Sequence, residues 1–335
     1  MISRTDAAPK RYDVCGIGSP LLDFIVEVDD GLLAEIDMQK GHMHLIDEEQ
    51  SRRILGMIEK GYQVKTAPGG SSANTLAGVS ALGGSAVFLG KIGNDYHGTV
   101  YEQSTVDSGV RSRLSRHQSG ITGHAITFIT PDSERTFATH LGAALHFRKD
   151  DVFDEDIRQS RILHIEGYQL EDPELKETCV HAMEVARNSG GKVSIDLADP
   201  ALIGRNLEPI RDLVRERADI IFVNEMEARA FTGLDDEEQA LAAIYDMCEV
   251  AVVKLGDRGS LIEADGRVIR VPIYPVAVVN SNGAGDAYAA GILFSIARGI
   301  DFERAGRIAA YVAAQVVGSV SARPERSLAH EIENL

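Results

Sequence analysis

Short runs of aliphatic residues recur along this chain at Tyr12–Ile17, Ala86–Lys91, Ile162–Ile165, Lys192–Ile195, Ile220–Val223 and Val250–Lys254. Between them lie longer stretches with helical periodicity, such as Ser72–Leu82, Glu174–Ser189 and Asp236–Met247. A strand without polar alternation needs cover on both faces, and an intervening helix supplies the crossover that makes neighbouring strands parallel. The alternation predicts an α/β domain with a central, mostly parallel sheet between helical layers. At 335 residues the chain is long enough for one large core, and residues 1–335 read as a single unit. Two regions break the rhythm: Leu21 to Ile46 and Gly123 to Leu145 carry extended segments with no intervening helix. The second has a turn at Pro131-Asp132-Ser133-Glu134 between Ala125–Thr130 and Arg135–His140. Another hairpin turns at Asp265-Gly266 and returns through Val268 to Val271.

Charge and composition narrow the partners. With 34 basic against 51 acidic side chains the net charge is −17, which argues against nucleic acid or an anionic membrane. An anionic substrate then needs locally concentrated donors, which glycine-rich loops supply. Cys15, Cys179 and Cys248 are too few and too scattered for a disulfide framework or a zinc site. No segment approaches eighteen uninterrupted apolar residues, and the first residues, MISRTDAAPKRYD, lack the apolar stretch of a secretion signal. A soluble cytoplasmic enzyme is expected.

Residues 279 to 288 read Val-Asn-Ser-Asn-Gly-Ala-Gly-Asp-Ala-Tyr, and beyond them Ile292, Leu293 and Ile296 recur at helical spacing up to Gly299. The amides of Gly283, Ala284, Gly285 and Asp286 then face outward at the positive end of a helix, a ready site for a phosphate-sized anion. Such a hole needs no acid of its own, so Asp286 reads as a proton acceptor beside a phosphoryl group. Alone, the run is equally a small-residue helix start with Asn282 as N-cap and Asp286 complementing the dipole.

A second glycine-rich stretch, PGGSSANTLAGVSALGGSAVFLGKIGNDYHG, spans residues 68 to 98. The pair resembles the two signature regions of the PfkB, or ribokinase-like, family of carbohydrate and nucleoside kinases: Gly-Gly-x-x-x-Asn with Gly-Lys-x-Gly-x-Asp-x-x-Gly, then Asp-Thr-x-Gly-Ala-Gly-Asp. The resemblance runs from about Asp13 to Pro324. It implies a ribokinase-like α/β/α layered fold, with the segments about 21–46 and 123–145 forming a small β-sheet lid over the acceptor. It implies ATP as phosphate donor together with Mg2+. Other phosphate-binding schemes do not fit. Lys91 is followed by Ile92, so there is no Walker A run, and Gly16-Ile17-Gly18-Ser19-Pro20-Leu21 lacks the third glycine of a dinucleotide fingerprint.

The resemblance assigns roles position by position. Asp23, after the first strand, is placed to accept the vicinal hydroxyls of a sugar. Gly69 and Gly70 let backbone approach that sugar, with Ser71 beside them and Asn74 offering a donor and an acceptor. Arg135, on the returning lid strand, is placed to neutralise the transferring phosphoryl group, against the alternative of a solvated strand charge. Asn224 and Glu227 match Asn-x-x-Glu, whose acid helps hold hydrated magnesium; Glu225 is less favoured by spacing. Lys254-Leu-Gly256-Asp-Arg-Gly259 resembles the nucleotide loop Thr-Leu-Gly-x-x-Gly, with lysine where threonine is commoner. With Asn282, Gly283, Ala284 and Gly285 these residues make the expected ATP site, and Asp286 is the expected base.

Asn280-Ser281 stands where Asp-Thr is usual, which removes the charge that holds a monovalent cation in many relatives and puts potassium activation in doubt. Gly18-Ser-Pro-Leu-Leu-Asp23, Lys40–Asp47 and Gly-Tyr-Gln after Glu166 look most like the adenosine-kinase-like branch, with Glu166 and Tyr168 at a nucleobase pocket. The expected activity is phosphoryl transfer to a primary hydroxyl of a nucleoside, most simply adenosine. The alternatives are a ribokinase- or fructokinase-type sugar kinase, or a binding relative with reduced catalysis. Either a monomer or a homodimer through lid edges fits.

Overall fold

A computed structural model describes residues 10–132 and 134–335. The leader reading over residues 1–9 and Ser133 of the lid turn lie outside the described residues. In chain order the strands are β1 (Tyr12–Ile17), β2 (Leu22–Glu27), β3 (Met43–Leu45), β4 (Val64–Pro68), β5 (Ala86–Gly93), β6 (Arg111–His117), β7 (His124–Ile129) and β8 (Arg135–His140). They continue with β9 (Ser160–Glu166), β10 (Lys192–Asp196), β11 (Ile220–Asn224), β12 (Val250–Lys254), β13 (Ser260–Ala264) and β14 (Arg267–Val271).

Nine of these strands form one sheet in the order β14-β13-β12-β11-β10-β9-β1-β5-β6. It is parallel from β6 to β12 and antiparallel through β13 and β14. The hairpin between the last two turns at Asp265 (φ 51°) and Gly266 (φ 68°), a pair of positive φ angles that matches the twist of the flanking strands. Helices cover both faces. Pro173–Asn188, Leu207–Arg217 and Glu237–Tyr245 pack on one side, and Ser71–Ala81, Ala284–Arg298 and Phe302–Val317 on the other. The fold is ribokinase-like, as the motif pair implies.

The lid is a five-stranded sheet ordered β3-β8-β7-β2-β4. Its residues Leu22, Phe24, Val26, Ile126, Phe128 and Ala138 are buried on one face, against Leu32, Leu33, Ile54 and Ile58. The lid departs from expectation in two ways. A helix, Asp30–Glu35, interrupts the first segment; Asp29 caps it by accepting from the Leu32 amide, and six residues are too few to show periodicity in sequence. Strand β4 lies outside both anticipated segments, and its Lys65 and Thr66 are exposed at the sheet edge. Lid and large sheet share one continuous hydrophobic cluster, in which Phe24 and Ile126 belong with Val14, Phe88 and Tyr288. Among the described residues no helix is long and apolar enough to cross a membrane.

Candidate active site

The helix Ala284–Arg298 begins one residue later than an Asn282 N-cap implies: its N-cap is Gly283. Gly283 has φ 77°, and an added Cβ would lie 2.4 Å from the carbonyl oxygen of Ala322, so no other residue fits without moving the C-terminal segment. No side chain caps this helix. Of the four amides expected to be free, that of Ala284 donates to Ser281 O at 3.3 Å. Those of Gly283, Gly285 and Asp286 have no acceptor among the described residues. Three outward donors at a helix start suit an anion.

Asp286, in the first turn and half-buried, reaches the start of the helix Ser71–Ala81. Its Oδ1 accepts from Ser71 Oγ at 2.7 Å and its Oδ2 from Asn74 Nδ2 at 2.9 Å. Burial pushes this carboxyl above its ordinary value, while Asn74 and Ser71 act in the opposite direction by favouring the ionised form. A desolvated carboxylate, aligned by two donors and adjacent to an anion hole, is suited to take a proton. Ser71 and Asn74, expected at the acceptor, therefore also hold the base. Gly70, which precedes them, has φ 90°, and a Cβ there would meet Ser19 O at 2.4 Å.

Lys254 ends β12 beside the same loop. Its Nζ lies 3.2 Å from where a Cβ on Gly285 would sit, and it is ion-paired with Asp196 Oδ2 at 2.7 Å. Burial alone would drive this ammonium down; the carboxylates of Asp196, Glu227 and Asp286 outweigh it and hold Lys254 above its ordinary value. Sequence reasoning missed Asp196. The available signal was its place at the carboxyl end of a parallel strand, where open α/β sheets bind ligands. Glu227 is buried and forms a capping box with Asn224, receiving the Asn224 amide at 2.8 Å and Asn224 Nδ2 at 2.6 Å. Burial, and then Asp196, push its carboxyl up. Three carboxylates thus surround one ammonium.

Next to this cluster opens a cavity of about 610 Å³. Asn224, Lys254, Gly256, Gly259, Ala284 and Gly285, all expected at ATP, line its polar end. Its other walls are apolar: Ile273, Tyr274, Val276 and Val278 on one side, Ala310, Ala314 and Val317 of the last long helix on the other. Asn282 is exposed and does not line it.

On the acceptor side, Asp23 is not at the end of the first strand but is the second residue of lid strand β2, facing Gly69. Burial pushes its carboxyl up to about 6, and the guanidinium of Arg323 opposes the shift. Register places Asp23 in one cross-strand row with Ala67, Ala125 and Thr139, and Ile25 in the next with Thr127 and Phe137. Arg135 follows opposite Ile129, so it shares the open face of the lid with Asp23. Its Nη1 donates to Asn280 Oδ1 at 3.3 Å, joining the lid to the anion loop.

Glu166 and Tyr168 complete the residues expected at the acceptor. Glu166 is buried, and its oxygens accept from the amides of Ser19 (2.7 Å) and Ser72 (2.9 Å) and from Gln169 Nε2 (3.1 Å). It ties three segments together. Tyr168 is half-exposed, and its phenol is pushed up by burial and by the nearby carboxylates of Asp199, Glu166 and Glu227. Asp95 has a structural part, capping its helix and accepting from Thr122 N and Oγ1.

A model of the pfkB family carbohydrate kinases matches residues 41–327. The chain belongs to that family. Its fold matches the crystal structure of adenosine kinase from Sinorhizobium meliloti with a TM-score of 0.88 and 31% identity, over 97% of this chain and 99% of that one. It is as close to a probable sugar kinase from Rhizobium etli CFN 42, with TM-score 0.88 and 29% identity over 97% and 98%. In sequence it is 30% identical to aminoimidazole riboside kinase of Salmonella typhimurium, over 72% of this chain and 77% of that protein. This pfkB kinase is therefore a phosphotransferase with an alcohol group as acceptor.

Proposed function

We propose that this kinase transfers the γ-phosphoryl group of ATP to the primary hydroxyl of a nucleoside, most simply adenosine. The observation that carries the nucleoside reading is the open face of the lid. From the Asp23 row to Arg135 it presents Ile25, Ala67, Ala125 and Phe137 together with Thr127, Thr139 and Lys65, and Met43 and Leu45 are exposed at its edge. A free sugar offers hydroxyls on every side and gains little from such a roof; a flat heterocycle on a ribose buries against it. The likeness to Sinorhizobium meliloti adenosine kinase supports the same reading.

In this reading ATP occupies the 610 Å³ cavity, its base between Val276 and Ala314 and its terminal phosphates at the amides of Gly283, Gly285 and Asp286. Asp23 holds the ribose hydroxyls opposite Gly69. Asp286 accepts the proton of the primary hydroxyl as the phosphoryl group arrives, and Lys254 and Arg135 offset its charge. No cluster of three or more ligating side chains capable of holding a metal by itself occurs among the described residues. Magnesium carried on ATP needs no such cage. The excess of carboxylate around Lys254 fits it, with Glu227 and Asp196 as the residues that would meet its waters. When bound, it neutralises charge on the terminal phosphates. Asn280 Oδ1 already accepts from the Asn282 amide at 3.1 Å as well as from Arg135, which supports turnover that does not depend on potassium.

ADP release from Mg-ATP, measured against adenosine, guanosine, inosine, ribose and fructose with and without potassium, tests this. Turnover on adenosine in both buffers is expected; turnover on a free sugar alone would make this a sugar kinase. Two further outcomes are specific. Removing the lid guanidinium with Arg135→Ala is expected to lower kcat about 10²-fold, the scale of losing one donor to a developing charge. ATP affinity measured without acceptor should stay unchanged, and a kcat near wild type would return Arg135 to the solvent. Because Asp23 titrates near 6 and binds hydroxyls best as a carboxylate, kcat/KM for the acceptor should rise with pH through about 6. Asp23→Asn should abolish that limb; a limb that persists in the variant belongs to another group.

A further inference from the structure

Arg323 lies in the segment after the last long helix, is buried at 5% exposure, and matches no motif. Its Nε donates to Asn74 Oδ1 at 2.8 Å and its Nη2 to the carbonyl of Gly69 at 3.0 Å. That carbonyl also receives the hydroxyl of buried Tyr101 at 2.8 Å. Asn74 in turn donates through Nδ2 to Asp286 at 2.9 Å. The three side chains form a line from guanidinium to amide to carboxylate, across 249 residues of chain at its first step.

We propose that Arg323 is a positioning residue for phosphoryl transfer, fixing which end of the Asn74 amide faces Asp286. The inference rests on the reading of Asp286 as the base. An asparagine amide has a donor end and an acceptor end of nearly equal shape. A guanidinium only donates, so Asn74 must turn its oxygen to Arg323, and its NH2 group then meets Asp286. Flipped, the amide would set N–H against N–H and oxygen against carboxylate, losing both charge-assisted bonds. The base thus keeps a donor on Oδ2, which fixes the direction of its remaining lone pairs. By holding Gly69 O as well, the same guanidinium sets the floor that Asp23 faces. The neighbouring Ala322 packs against Gly283, so this one segment touches both the anion loop and the acceptor floor.

The test is a double-mutant cycle on kcat. Arg323→Gln puts an amide in place of the guanidinium, and because glutamine both donates and accepts it no longer dictates how Asn74 turns. A fall in kcat of about ten- to hundredfold is expected, the scale of a slightly misplaced catalytic group, with KM for ATP unchanged. In the Asn74→Ala background the same substitution should have little further effect on kcat, because its route to Asp286 is gone. Thermal unfolding of all four proteins separates this from a loss of folded enzyme. Should the glutamine variant not fold, Arg323→Met runs the same cycle, because a thioether offers Asn74 no donor and so cannot dictate how its amide turns. An unchanged kcat, or an equal loss with and without Asn74, would overturn the proposal. Asp286→Asn measured alongside distinguishes the two readings: a nearly inactive Asp286→Asn with a normal Arg323 variant fails Arg323 alone, whereas a fully active Asp286→Asn fails the base itself.

Discussion

Asp286→Asn is expected to lower kcat by about two to four orders of magnitude, the usual contribution of a positioned general base. The substitution keeps size and shape, so the anion hole at Gly283 and Gly285 should survive and KM for ATP should change little. Stability is expected to move the other way. The folded carboxyl sits above its ordinary value of 3.8, so the folded state holds its proton more tightly than the unfolded one. Stability is then lost as pH rises from that ordinary value through the raised folded value, and at neutral pH the ionised group is a net cost. A neutral amide removes the cost. Steady-state kinetics and thermal unfolding at pH 7 should therefore give a nearly inactive protein with an equal or higher Tm, the signature of a group kept for function. A variant both active and less stable would mark Asp286 as a structural cap.

Lys254→Met is expected to damage both properties. The Lys254–Asp196 pair is largely buried, with side-chain exposures of 16% and 5%, and removing one partner leaves an uncompensated charge. Such losses run to about 3–5 kcal/mol. Here the orphaned Asp196 also faces Glu227 and Asp286 with no cation between them, which should push those carboxyls further up. Turnover should fall about 10²- to 10³-fold with the loss of a cation at the phosphates. The two effects separate in Lys254→Met/Asp196→Asn, where Asp196 is no longer left as an unpaired buried charge. Thermal stability should return most of the way while kcat stays low. Recovery of turnover together with stability would mean that Lys254 serves only to neutralise Asp196.

What the sequence disclosed follows from which forces are local. Buried parallel strands must be apolar on both faces, so β1 and β12 fall on the anticipated residues and β9 differs only at its ends. Strand β6, Arg-Ser-Arg-Leu-Ser-Arg-His, lies at the sheet edge and half-buried throughout, and no apolar run announced it. The glycine loops were legible because backbone approach to an anion demands small residues in sequence order. Asp196 and Arg323 were not, because each gains its place from a partner far along the chain: Lys254, 58 residues away, and Asn74, 249 away. Glu166 shows the same limit. Its carboxylate accepts from the amides of Ser19 and Ser72, a contact only folding reveals.

The most direct test of phosphoryl transfer from ATP to a nucleoside's primary hydroxyl compares adenosine with 5′-deoxyadenosine, which lacks only that hydroxyl. The expected result is ADP release with adenosine and none with 5′-deoxyadenosine, although calorimetry shows both bound. ADP release with the deoxy compound, or with fructose or ribose while adenosine stays inert, would contradict the account.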